Sequence, residues 1–252
     1  MGNYQGMMKI VHKKELVKDV YEMVLNGDAA SFIKNSGQFI NIKLTDTLQP
    51  YLRRPMSICD YDESNIKIIF KVVGEGTKIL ANKECGDTLD CLIGLGNGFE
   101  DLEARKVIVV GGGLGVPPMY NLTKQLLSHG VEVTAVLGFN SESDVFYKKE
   151  LEELCPTVIA TMDGSVGIKG TVIDAIEAKQ LSFDKYYACG PEKMLDALIL
   201  KYPDNGYLSF EARMGCGFGA CMGCSCRVKT KPYKRICVEG PVLKSSEVIV
   251  NG

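Results

Sequence analysis

The 252-residue chain has no tryptophan and only two histidines, His12 and His129. Imidazole is the side chain whose ordinary pKa best suits proton transfer near neutrality. With one histidine near the N-terminus and the other in a helix tail, both read as surface residues, and no set of bases for dehydrogenating a carbon substrate is present. Charge of one sign is also lacking, since 29 Lys and Arg stand against 31 Asp and Glu. That balance leaves no broad field to hold nucleic acid or an anionic membrane, so neither is an expected partner. No apolar run approaches the roughly 20 residues of a spanning helix. Residues 1–19 lack the apolar core of a signal peptide, and a cytoplasmic location is expected. Internal repeats and low-complexity linkers are missing too.

What the chain does have is 46% hydrophobic residues, ample for packed cores. Over 1–101 these fall in short β-branched runs, FINIKL at 39–44, IKIIFKVV at 66–73 and TLDCLIGL at 88–95, cut by Asn, Gly, Asp and Glu. Such spacing predicts a small antiparallel barrel or sandwich. From 102 to 205 the pattern becomes strand, turn, helix: VIVV at 107–110, GGGLGVPP, MYNLTKQLLSHG, then VEVTAVLGF, FYKKELEEL, TVIATMD, TVIDAIEA, KYYACG and PEKMLDALIL. Alternation of this kind predicts a doubly wound parallel sheet. Residues 206–252 are rich in Cys and Gly and too few to bury a core alone, so a metal centre is expected to hold them. The fold class is therefore all-β followed by α/β, with a small C-terminal domain held by a metal centre.

Ten cysteines divide unevenly. Cys59, Cys85, Cys91, Cys155 and Cys189 are scattered, and most read as small buried hydrophobes. The other five crowd into 216–237. Cys216, Cys221, Cys224 and Cys237 form C-x4-C-x2-C with a fourth cysteine after twelve intervening residues, the plant-type [2Fe-2S] spacing. Gly215, Gly217, Gly219, Ala220 and Gly223 let the loop backbone pass close and aim N–H groups at the sulfurs. Structural zinc is the competing reading, but a zinc site would more naturally pair two C-x2-C arms. Cys226 stands two residues from Cys224 and reads as a packed thiol.

Two further groups of residues suit phosphate-bearing cofactors. Arg54, Pro55, Met56 and Ser57 offer a guanidinium for a pyrophosphate and a hydroxyl for a flavin nitrogen. Gly74-Glu75-Gly76-Thr77 follows the IIFKVV strand and opens a helix. Gly111, Gly112, Gly113 and Gly115 lie in a strand–turn–helix element that departs from the dinucleotide fingerprint, because Val116 takes the third glycine position and no acid ends the next strand. Cys189-Gly190-Pro191 repeats the device at a later strand end.

R-P-M-S, G-E-G-T, G-G-G-L-G-V-P-P and C-G-P resemble, in order and spacing, the ferredoxin–NADP reductase superfamily. With the cysteine loop and LGNGF at 95–99, the whole chain resembles the electron-transfer subunits of dihydroorotate dehydrogenase B. The resemblance implies FAD contacts at Arg54, Pro55, Met56, Ser57, Ile69, Phe70, Lys71, Gly76 and Thr77. It further implies cluster ligation by Cys216, Cys221, Cys224 and Cys237, and NAD binding at the glycine loop and Cys189-Gly190-Pro191. It implies a separate FMN-containing catalytic subunit, two copies of each chain in the assembly, and electrons passing from dihydroorotate through [2Fe-2S] and FAD to NAD+. The small subunit of a ferredoxin–NADP oxidoreductase or of a sulfide dehydrogenase shares this layout, and a zinc-binding redox sensor stands as a further alternative. The lack of Arg or Lys just after Phe139 favours NAD over NADP.

Overall fold

Asn65–Lys71 illustrates how alternation builds the first domain and where it breaks. Ile66, Ile68 and Phe70 are buried on one face, yet Ile69 on the opposite face is buried as well. The first three belong to a barrel interior, while Ile69 packs into a different cluster with Val107, Val109 and Met119. An outward residue of this strand is thus covered by a second domain.

The computed structural model describes residues 4–250 apart from 46 and 48; the outermost residues of the expected domains, 1–3 and 251–252, lie outside them. Six antiparallel strands close the barrel: β1 (Tyr4–Val17), β2 (Val20–Asn26), β3 (Phe39–Lys43), β4 (Arg54–Tyr61), β5 (Asn65–Lys71) and β6 (Thr88–Leu95). Their order is β1-β2-β5-β4-β3-β6, and helix α1 (Glu75–Ala81) links β5 to β6. Closure pairs every strand on both sides and leaves no free edge. The Arg54–Ser57 segment is itself the start of β4, paired to β3 with Asn41 opposite Pro55 and Phe39 opposite Ser57.

The α/β unit contains β7 (Lys106–Gly112), α2 (Val116–Ser128), β8 (Glu132–Phe139), α3 (Lys148–Glu152), β9 (Thr157–Thr161), β10 (Ile168–Lys169), α4 (Val172–Ala178), β11 (Lys185–Cys189), α5 (Glu192–Lys201) and β12 (Gly206–Ser209). Val107 and Val109 pack to one face of β7 while Ile108 and Val110 pack to the other. The VIVV run is continuous because a central parallel strand is covered on both sides. From β7 the chain winds outward through β8, β9 and β10, then crosses to β11 on the other side of β7. The crevice between the ends of β7 and β11 is the switch point at which such sheets bind ligands.

After β12 come β13 (Ser225–Cys226), β14 (Lys234–Arg235) and β15 (Val242–Lys244). β13 and β14 form their own ribbon, whereas β15 returns to pair antiparallel with β12 as the seventh strand of the sheet. The C-terminal region is therefore stitched into the α/β sheet. Asn97 at the barrel's end secures it from the other side: its Nδ2 donates to the Val242 carbonyl at 2.9 Å, and its Oδ1 accepts the Val242 N–H at 3.1 Å. Barrel and sheet also meet directly, since Lys124 and Asn121 of α2 both reach Asp60 of β4, at 2.8 and 3.2 Å.

Candidate functional site

The four cysteines of the C-x4-C-x2-C…C pattern stand as two pairs. Cys216 and Cys221 exchange N–H···Sγ bonds, each 3.4 Å long, and the Gly223 N–H donates to Cys221 Sγ at the same distance. The Cys237 N–H donates to Cys224 Sγ at 3.4 Å, and both of these residues are buried. Burial would raise the Cys216 thiol, but N–H donors from Cys221, Phe218 and Ala220 outweigh it and bring the thiol down to about 6. Burial and the neighbouring Cys224 sulfur push Cys237 the other way, up to about 12.

Among the described residues no three Cys, His, Asp or Glu side chains gather in the manner of a single-ion site. Two thiol pairs fit a binuclear centre, in which each iron takes two cysteines, better than one zinc tetrahedron. The backbone N–H array fits too, because thiolates ligating iron carry negative charge that such donors stabilise. Arg235 braces this loop: its Nη1 donates to the Gly219 carbonyl at 2.9 Å while its Nη2 grips Glu239 at 2.5 Å. Cys226 lies on β13, half-exposed, and takes no part in either pair.

Arg54 lies across the first turn of α1. A Cβ on Gly76 would come within 2.7 Å of its Nε, so any larger residue there would push the guanidinium aside. A guanidinium beside a helix start is a fitting cradle for a pyrophosphate. Thr77 acts differently from the expected phosphate contact: its hydroxyl accepts from the Val73 and Gly74 N–H groups and donates to the Gly74 carbonyl, closing the turn from within. Phe70 points into the barrel beside Tyr21, which leaves only its backbone on the outer face. Pro55, Met56 and Ser57 are partly exposed on β4, with Met56 packed against the barrel core.

The two glycine-bearing turns, some 75 residues apart in sequence, touch. Gly111 and Gly112 end β7, Gly113–Gly115 make a 3-10 turn, and Val116 with Pro117-Pro118 opens α2. A Cβ on Gly115 would sit 1.9 Å from the Cys189 carbonyl oxygen, and one on Gly190 would sit 3.0 Å from the Gly112 Cα. A cavity of about 490 Å³ opens there, lined by Gly112, Gly113, Pro191, Phe139, Asp144, Lys193 and, from the barrel, Lys71. A second, of about 860 Å³, runs from the same turns past Phe210 and Glu211 to Cys224 and Cys226. Burial raises the Glu211 carboxyl above the usual range.

Sequence reasoning missed Asp144, Lys193 and Glu211. Asp144, in the 3-10 turn Glu142–Asp144, lines the smaller cavity with an acid that no strand end carried. The only signal in the sequence was its place a few residues past Phe139. For Lys193 the one signal was its place two residues past Cys189-Gly190-Pro191. His12 and His129 are exposed, as read.

Comparison with known proteins adds to this geometry. A family model described as the iron–sulfur cluster binding domain of dihydroorotate dehydrogenase B matches residues 211–249, and an oxidoreductase NAD-binding domain matches 109–199. The chain is 46% identical to the dihydroorotate dehydrogenase B (NAD+) electron transfer subunit of Geobacillus sp. strain WCH70, covering 98% of this chain and 99% of that one. It is 44% identical to the protein of the same name from Fusobacterium nucleatum, over 93% and 94% of the two chains. A solved NADH-dependent reduced ferredoxin–NADP oxidoreductase superposes with a TM-score of 0.89 at 29% identity, over 97% of this chain and 90% of that one. A ferredoxin–NADP+ reductase from Neisseria gonorrhoeae, with bound FAD and NADP, shares the fold at 16% identity and a TM-score of 0.67, over 83% and 94%.

Proposed function

The chain belongs to the family of dihydroorotate dehydrogenase B electron-transfer subunits, and from that premise we propose that it links a dihydroorotate-oxidising catalytic partner to NAD+, with FAD and a [2Fe-2S] centre as its resident groups. The observation that carries this reading is the pair of thiol pairs, Cys216 with Cys221 and Cys224 with Cys237, set beside a nucleotide switch point in one connected fold. NAD+ accepts electrons in pairs and an iron–sulfur centre passes them singly, while a flavin does both.

The chain's own residues divide the work. Arg54 and the Gly76 turn hold the FAD pyrophosphate, and Ser57 on β4 positions the ring. Gly111–Gly115 and Cys189-Gly190-Pro191 admit the nucleotide at the β7/β11 crevice, where Lys193 offers charge to its phosphates and Lys71, from the flavin-contacting strand, lines the same cavity. The four cysteines hold the iron. We read the oxidation of the carbon substrate as the partner's chemistry and electron transfer as this chain's. We read the partner as FMN-containing, the assembly as two of each chain, the compartment as the cytoplasm and the pathway as pyrimidine biosynthesis. Among the described residues no helix is long and apolar enough to cross a membrane. Functionally the chain divides as 1–101 for FAD, 102–205 for NAD and 206–252 for the cluster, with β12 and β15 lent by the last part to the sheet of the second.

Two measurements test this. Anaerobically purified protein should contain about two irons and one FAD per chain, and its visible absorption should bleach with NADH in preference to NADPH; a colourless, zinc-containing protein would overturn the reading. Arg54→Ala should weaken FAD retention by about 10–100-fold, from the loss of a charge-assisted bond of roughly 1.5–3 kcal/mol. Iron content should stay unchanged, and flavin release on dilution is the readout.

A further inference from the structure

Asn41 belongs to neither cofactor segment, yet its surroundings touch both. On β3, Ile40 and Ile42 point into the barrel, so Asn41 and Phe39 face outward. Phe39 packs in the same apolar cluster as Cys224 and Cys237. Asn41 is itself fully buried. A Cβ on Gly217, the residue after Cys216, would lie 2.5 Å from the Asn41 Nδ2. Gly217 has φ +82, a left-handed conformation that suits glycine and folds the loop back over β3. Across the strand pair, Asn41 stands opposite Pro55 of the FAD segment. The side chain therefore sits between the flavin strand and the iron–sulfur loop.

Its amide is also an anomaly. Among the described residues, Asn41 Nδ2 and Oδ1 are the buried side-chain atoms that lack any hydrogen-bond partner. Its main-chain carbonyl is engaged, accepting from Arg53 Nη1 at 3.4 Å, but the side chain gains nothing from burial. A leucine would fill the same volume without the cost of an unpaired amide. An amide so placed acquires a reason only if an electron-rich acceptor arrives beside it. In this loop that acceptor is sulfur, whose charge rises when iron is bound and rises again on reduction.

We propose that Asn41 is a positioning and tuning residue of the iron–sulfur centre: its Nδ2 donates a hydrogen bond to a sulfur of the loaded centre from the barrel side, and so raises the centre's reduction potential. The inference rests on the [2Fe-2S] reading above. Donors aimed at cluster sulfurs favour the reduced, more negative state. A donor supplied by β3 ties that potential to the strand pair that carries the flavin segment.

The test uses the intact protein carrying both groups. Wild type, Asn41→Leu and Asn41→Asp are assayed for iron, sulfide and FAD, and the reduced centre is titrated by EPR against applied potential. At the potential that half-reduces the wild-type centre, the ratio of reduced to oxidised centres should fall at least tenfold in both variants, a shift of about 59 mV for one electron, with the flavin titration unmoved. Asn41→Asp keeps the shape and removes the donor, and it decides the matter if Asn41→Leu loses iron. Iron-replete variants that titrate like wild type would overturn the role of Asn41 and leave the cluster assignment standing. A wild type without iron would overturn both.

Discussion

Cys237→Ser should take the iron content from about two per chain to near zero while FAD stays bound. A hydroxyl, protonated at neutral pH, is a poor substitute for a soft thiolate. Cys237 is also the only cysteine of the second arm, so its partner Cys224 is left without the other half of its pair. FAD should survive because the C-terminal strand is anchored by contacts that do not involve sulfur. β15 remains paired to β12, and Asn97 still clasps Val242 from the barrel. The flavin residues Arg54 and Gly76 lie on β4 and α1, elements that are not part of that arm. Iron, sulfide and flavin assays on the purified variant decide the point. Loss of iron and flavin together would mean that the loop folded over Asn41 forms part of the flavin platform.

Gly115→Ala should disrupt the nucleotide site more than any other single methyl in the glycine loop. The new Cβ would meet the Cys189 carbonyl oxygen at 1.9 Å and the Gly190 nitrogen at 2.5 Å. These are backbone atoms at the end of a central strand, and no rotamer change removes them. Relief requires the ends of β7 and β11 to part, which we expect to cost about 3 kcal/mol and to lower Tm by roughly 6–12 °C. NADH binding should weaken by roughly 10–100-fold, or about 1.4–2.7 kcal/mol. Gly113→Ala is the control. Gly113 has φ +50, but nothing lies within 4 Å of its added Cβ, so only conformational strain of about 1–2 kcal/mol applies. Calorimetry and NADH titration of the two variants compare the effects; equal losses would show that strain, and not the close approach, governs the turn.

Much of the architecture was legible because it is periodic. Strands such as β3, β5 and β6 announce themselves by alternation, and the VIVV strand with its glycine turn and double proline marks a parallel βα unit. β1, β2 and β4 were not singled out in the sequence. β1 is exposed over much of its length and β4 begins with Arg54-Pro55, so neither shows clean alternation. Cys59, Cys91, Cys155 and Cys189 are buried as expected, while Cys85 is exposed.

The sequence by itself determined the cysteine pattern on which the cluster proposal stands. Four cysteines at C-x4-C-x2-C…C are a local matter, since three lie on one short loop and thiolate chemistry follows from residue type and spacing. It also determined the order of barrel, α/β sheet and cysteine loop, because hydrophobic period is written along the chain. Only the tertiary structure decided that β15 would cross back to β12, that Gly115 and Cys189 would touch, and that Asp144 and Lys193 would share a cavity with Lys71 of the barrel. These contacts join residues tens of positions apart, brought together by sheet order and domain packing, which no local pattern encodes. Asn41 is the clearest case: in the sequence it is one polar residue in a strand, and burial against a loop 176 residues away makes it an unpaired amide at the junction of two sites.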